Sequence, residues 1–389
     1  MSSKARWLLV LVSTPLVLVA AVGGLLSTTQ AAPQQGFKDL PVFQDVVSLI
    51  MSSYVERVDI DPVMEGAMRG LADGLDASSS YLTPDEVEAV ESGSEPSAGE
   101  VGLLVSRQFY LKIVGVRDGS AAARAGLRPG DFIRGIDGKP TRDMSSFTGT
   151  RLLLGEPGTS VELTVLRGNA VDAHTVELVR EAPAGDPVTG RRLPSGEAYI
   201  RVARFSPGAG EAIRRQIDAQ RQAGATAAII DLRGTGEGTI DEAIAAARLF
   251  VASGTLATLD GRNTERTVTT ASEGDGGLTL PVALLISSGT AQAAEIFASA
   301  LAGNGRADLV GEPTAGLAAV QRLVKLPEGR GLWITYARYL AADGTPIHGE
   351  GLTPVVRVSE PVVPFGDTPP AEDAVLDAAI THLQSKTGA

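Results

Sequence analysis

Apolar positions change period along the chain, and each change marks a boundary. From residue 40 to 92 they recur at helical spacing: Phe43, Val46, Val47, Ile50 and Met51 share one face, and Met64, Ala67, Met68, Leu71 and Leu75 nearly repeat the set. Thr83-Pro84-Asp85-Glu86 then supplies an N-cap threonine, a proline at N1 and acids in the first turn, which predicts a third helix. Residues 93–99 are a polar linker rich in Ser, Gly and Glu. From Gly102 to Arg180 the pattern shifts to short β-rich runs at 109–116, 132–136 and 161–166, with a short helix at 121–125 capped by Ser120 and another within 143–154. After a Pro/Gly linker at 182–190, strand and helix alternate: strand 198–205, helix 209–222, strand 227–232, helix 240–251, strand 280–286, helix 291–301. The runs at 227–232 and 280–286 are almost continuously apolar, as expected of strands covered on both faces. Strict alternation of this kind implies an α/β domain.

A different signal precedes all of this. Lys4 and Arg6 stand before an uncharged run from Trp7 to Leu26. Roughly twenty apolar residues suffice to cross a bilayer, and cations ahead of the run hold that end in the cytoplasm. Residues 1–35 therefore read as a signal peptide or retained membrane anchor, cleavage after Ala31 being one option, and the remainder as exported to a bacterial-type periplasm or cell envelope. The organisation that follows is a helical leader at 36–98, a β-rich domain at 99–181, an α/β domain at 190–362 and a C-terminal helical tail at 363–389.

Length and composition narrow the chemistry. A chain of 389 residues suits two or three domains. Its 46 acidic against 34 basic residues give a net charge of −12, which argues against a nucleic-acid partner. With no cysteine, disulfides, cysteine catalysis and thiolate metal sites are excluded together. His174, His348 and His382 have no ligand spacing, so no metal and no cofactor are expected. His348, in a turn-rich stretch, reads as a surface histidine, and Glu295 as a capping and packing residue.

Two series of motifs carry a resemblance. Gly119-Ser120-Ala121-Ala122-Ala123-Arg124-Ala125-Gly126-Leu127-Arg128-Pro129-Gly130-Asp131, followed by Gly155-Glu156-Pro157-Gly158-Thr159, resembles a PDZ domain. Such a module binds a peptide C-terminus by adding it as a strand to a sheet edge. Gly102-Leu103-Leu104-Val105 is similar to the loop that holds the peptide carboxylate. The wider chain, from Phe43 to Val356, resembles the carboxyl-terminal processing peptidases, or tail-specific proteases. Ser80-Tyr81-Leu82-Thr83-Pro84, Ala198-Tyr199-Ile200-Arg201-Val202, Ile229-Ile230-Asp231-Leu232-Arg233, Gly311-Glu312-Pro313-Thr314 and Gly351-Leu352-Thr353-Pro354 match in order. The resemblance implies an α+β multidomain fold: export or anchor helix, helical leader, barrel-like PDZ domain and α/β protease core.

It also implies a Ser–Lys dyad, and here the sequence departs from the family. The serine should open a helix, with the lysine twenty-five positions later on a loop. In Gly289-Thr290-Ala291-Gln292-Ala293-Ala294-Glu295-Ile296 the register places Gln292 at the serine position, and in Thr314-Ala315-Gly316-Leu317 it places Leu317 at the lysine position. Gln321 matches an accessory glutamine. The implied oxyanion region is Gly234 and Ala293, but the adjoining turn reads Thr235-Gly236-Glu237-Gly238, with a carboxylate that would oppose a developing oxyanion. An amide is not a usable nucleophile, and leucine cannot accept a proton.

The expectation is a homologue that recognises C-terminal tails of envelope proteins without cutting them, as an adaptor, a decoy, or a partner of an active relative or lipoprotein adaptor. A homodimer through the helical leader is implied by analogy. The alternative is an active serine-type endopeptidase with a relocated nucleophile, drawn from Ser287, Ser288, Thr290 or Ser299 with Lys325 as base.

Overall fold

The computed structural model describes residues 39–92, 98–142, 144–168, 172–361, 363–368 and 370–387. The 7–26 run lies outside them. Among the described residues no helix is long and apolar enough to cross a membrane. The chain divides into two compact units, residues 1–67 and 68–389. In the first, helix α1 (Leu40–Ser53) opens with a proline in its first turn and buries none of its side chains. Helix α2 (Ile60–Asp73) follows and runs across the boundary.

In the second unit the leader pattern is interrupted. Strand β1 (Ser80–Leu82) stands where helical spacing had been read. Three residues are too few to show a period of two, and their partner lies about 250 positions downstream. Helix α3 (Pro84–Glu91) starts where predicted: Thr83 Oγ1 accepts from Glu86 N, and Glu86 Oε2 accepts from Thr83 N at 2.9 Å.

The PDZ-like sheet runs in the order β2-β3-β4-β6-β7, from β2 (Leu103–Gln108), β3 (Tyr110–Val116), β4 (Phe132–Ile136), β6 (Ser160–Leu166) and β7 (His174–Val179), with β5 (Lys139–Pro140) beside β4. Helices α4 (Ala121–Arg124) and α5 (Ser146–Leu153) are capped by Ser120 and Ser145 and close over a core that includes Leu111, Ile113, Ile133 and Leu163. Among the described residues β2 has a strand partner on one side only, so its other edge is open.

The α/β core has the order β17-β14-β13-β10-β9-β8, built from β8 (Val188–Arg192), β9 (Ala198–Val202), β10 (Ala228–Asp231), β13 (Val282–Ile286), β14 (Asp308–Gly311) and β17 (Val356–Arg357). All neighbours are parallel except the edge pair β8–β9. Helices α6 (Ala209–Gln222), α7 (Ile240–Ala247) and α8 (Ala293–Gly303) cover one face, and the C-terminal helix α9 (Ala374–Thr387) covers the other. Alternation within β10 shows why the run is continuously apolar: Ala228 and Ile230 face the first layer, Ile229 the second. A further sheet, β1-β16-β11-β12, combines β11 (Thr255–Gly261), β12 (Thr264–Thr270) and β16 (Gly331–Leu340), with β15 (Ala319–Lys325) paired to β16.

An ion network fixes the end of β10. Asp231 accepts from Tyr199 Oη at 2.6 Å and Arg233 at 2.6 Å, and Arg233 continues to Asp373 at 2.7 Å, whose side chain caps α9 through Leu376 N. Burial alone would raise the Asp231 pKa, but hydrogen bonds and charge from Arg233, joined by Arg201 and Tyr199, hold it below the ordinary aspartate range. The loop that follows β10 therefore leaves the sheet from a pinned position.

Candidate functional site

Loops leaving the carboxyl ends of β10, β13 and β14 lie side by side, the place where open parallel sheets build their sites. The loop after β13 ends at Gln292, immediately before α8. Its φ of 50° and ψ of −116° are left-handed for a residue with a Cβ, a strained strand-to-helix turn that exposes one side chain. This conformation is why α8 begins at Ala293 rather than at residue 291.

The loop after β14 brings Leu317 to the same place, and Glu295 ties the two loops together. Its carboxylate is fully buried and accepts from Gln292 N at 3.0 Å, Leu317 N at 2.8 Å, Gly316 N at 2.7 Å and Thr314 Oγ1 at 2.6 Å. Burial raises its pKa above the ordinary glutamate range, against four donors that favour the ionised form. The capping role read from sequence is present, but the reach to residues 314–317 was missed. No local pattern signals it, because two of those three donors are backbone N–H groups.

Gln292, Leu317 and Gln321 open into one cleft of about 370 Å³. Gln321 donates to Thr335 Oγ1 at 3.2 Å. From the PDZ-like side come Leu104, Val105 and Ser106 of β2, together with Ser146, Phe147, Thr150 and Arg151 of α5. The cleft therefore joins the groove between β2 and α5 to the position where a dyad would stand. Trp333 of β16 closes it, 5.7 Å from the Phe147 ring centroid to centroid.

The other sequence-derived site residues do not line this cleft. Gly102 packs on Ser120, where an added Cβ would come within 2.2 Å of the Ser120 Cβ, and Leu103 turns into the PDZ-like core. Gly234 donates its N–H to Ser287 Oγ at 3.3 Å, and Ala293 is buried as the first residue of α8. Gly236 lets Leu104 approach: a Cβ there would meet Leu104 Cδ2 at 2.3 Å. The Glu237 carboxylate, expected to oppose an oxyanion, is instead paired with Arg117 at 3.4 Å and lies outside the cleft lining.

Of the alternative nucleophiles, Ser288 is exposed and lines a different cavity, which Gln292 and Leu317 do not enter, and the others are buried or engaged. Thr290 is completely buried, its hydroxyl donating to Leu232 O at 2.9 Å and accepting from Ser287 N at 3.0 Å. Ser287 accepts from Gly234 N and Gly289 N, and Ser299 is buried within α8. Lys325 is exposed and paired with Glu91. Hydroxyls of Ser78, Ser106, Ser146 and Thr150 do line the cleft, yet among its described lining residues there is no lysine, histidine or carboxylate to serve as base. His348 corrects the surface reading: it is largely buried, its Nε2 4.0 Å from Asp76 Oδ2, and burial pushes its pKa down.

The model of peptidase family S41 matches residues 197–358, and a PDZ domain model matches residues 112–167. The chain is 29% identical over 342 residues to the carboxy-terminal processing protease CtpA of Bacillus subtilis, covering 87% of this chain and 72% of that protein. It is 31% identical over 310 residues to the carboxyl-terminal-processing protease of Synechocystis sp., covering 78% and 72%. Among solved structures it is similar to a photosystem II D1 C-terminal processing protease, with a TM-score of 0.68 and 24% identity over 89% of this chain and 92% of the other, a likeness of fold.

Proposed function

The chain belongs to the carboxyl-terminal-processing proteases of peptidase family S41, and from that premise we propose that it is a pseudopeptidase, binding the C-terminal tails of other proteins without cutting them. The observation that carries this reading is the composition of the cleft. Gln292 occupies the strained position before α8 and Leu317 faces it from the next loop, while the open edge of β2 enters the same space. A peptide added to β2 gains main-chain hydrogen bonds there, and side-chain pockets between β2 and α5 give selectivity. Among the described lining residues nothing activates a hydroxyl.

Export and attachment at the cell envelope belong to the same proposal, supported by Lys4, Arg6 and the uncharged run 7–26. So does a homodimer through the leader, supported by Val42, Val46 and Leu49, which α1 leaves exposed. The tails of envelope proteins are the expected ligands.

Hydrogen exchange tests the binding mode. A saturating unstructured peptide with an apolar C-terminus is expected to slow exchange of backbone amides in Leu103–Gln108 by about tenfold or more, because a strand added to an open edge takes up its free donors. Protection confined to other segments, or no protection at all, contradicts tail capture by β2.

A further inference from the structure

We propose that Arg151 makes the cleft selective for tails that carry a carboxylate near their end; this rests on the tail-binding reading and deepens it. Arg151 lies in the last turn of α5, one helical turn beyond Phe147, and is the single charged group among the described lining residues. Its guanidinium carbon stands 5.9 Å from the Phe147 ring centroid. Four other buried or part-buried arginines are matched to an acid, Arg117 to Glu237, Arg167 to Asp131, Arg201 to Asp118 and Arg233 to Asp231, while buried Arg180 is satisfied by the carbonyls of Leu152, Leu153 and Ser160. Arg151 is partly buried in the cleft wall, and among the described residues no carboxylate pairs with it.

The geometry points to an incoming partner. A guanidinium is permanently charged and presents a planar fork that matches a carboxylate bidentately. A peptide strand seated between β2 and α5 turns alternate side chains toward the helix, and one turn of α5 spans about 5.4 Å, so Arg151 reaches a peptide position distinct from the one facing Phe147. With leucine at 317 no other cation among the described lining residues competes for that acid. The carboxylate has two sources, an aspartate or glutamate side chain upstream of the end, or the chain terminus itself.

Fluorescence anisotropy on the purified full chain separates them. The probe is an unstructured peptide ending in apolar residues, with a single glutamate scanned across its last six positions, compared with the glutamine version and with C-terminally amidated forms. Glutamate at one favoured position is expected to tighten binding about tenfold or more over glutamine, the scale of a charge-assisted hydrogen bond. If the glutamate and glutamine tails bind alike while amidation weakens both about tenfold, the terminus is the source. In Arg151→Gln the gap is expected to close, and in Arg151→Glu a lysine-bearing tail is expected to become preferred. In case either variant fails to fold, the unmodified chain provides a second reading: raising salt weakens the acidic tail and leaves the glutamine tail nearly unchanged. Equal binding of acidic, neutral and amidated tails, or a carboxylate-dependent gap that persists in Arg151→Gln, overturns the proposal while leaving tail binding intact. Failure of every tail to bind overturns the tail-binding reading and this inference with it.

Discussion

Replacing Gln292 with serine and Leu317 with lysine together is expected to turn on cleavage of unfolded polypeptide, and neither change alone is expected to do so. The scaffold keeps the features that are hard to rebuild. Gln292 still holds φ 50°, ψ −116°, a conformation that costs on the order of 1–3 kcal/mol without a nucleophile to expose. Leu317 is still fixed by its N–H on Glu295 Oε2 at 2.8 Å, so a lysine there starts from a positioned backbone. The restored pair is expected to act as a unit, with the double variant about 10²–10⁴-fold faster than either single one, the range a positioned base supplies. Because the lysine must be neutral to accept the serine proton, the rate is expected to rise with pH through the lysine's pKa. Fragment counting by mass spectrometry across pH 6–10 checks this. A Gln292→Ser variant as active as the double variant would contradict it, since some other group would then be acting as base.

The second large effect is on stability. Glu295→Ala is expected to destabilise the second unit by about 3–5 kcal/mol, because a fully buried carboxylate serving four donors is lost at once and each orphaned buried donor costs about 1–3 kcal/mol without simple addition. The urea midpoint reads the loss. The same variant is expected to weaken tail binding, since the 292 and 317 loops lose their common tie. Glu295→Gln keeps the shape but turns an NH₂ toward donors, so its effect should be intermediate. A midpoint within about 0.5 kcal/mol of the unmodified chain would show that the loops are held by other contacts.

How much of this was readable from the chain depends on how far apart the interacting residues lie. Caps were legible because their partners are three residues away: Thr83 with Glu86, and Ser120 with Ala123 N. The doubly covered strands were legible because burial on both faces removes every polar residue from Ala228–Asp231 except the last. The first three residues of strand β8 fall in the 182–190 linker reading because Gly190 and two arginines on an edge strand carry no apolar alternation. The β11–β12 hairpin was missed because β12, with four threonines beside Glu265 and Arg266, fits a strand without marking a face. In the site, Gln292 and Leu317, placed by motif register and 25 residues apart, line one cleft. Arg151 was invisible, since nothing in Ser146–Leu153 states which flank meets the α/β core.

The account stands on the claim that this cleft holds a tail and leaves it whole. The most direct measurement incubates the purified, unmodified chain, in molar excess, with an unfolded protein ending in apolar residues and recovers the bound material for intact-mass analysis. The predicted result is a retained polypeptide of full length after prolonged incubation. Fragments that persist through independent purifications, and that vanish when Ser78, Ser106 or Ser146 is replaced by alanine, would contradict the account and identify a working nucleophile in the same cleft.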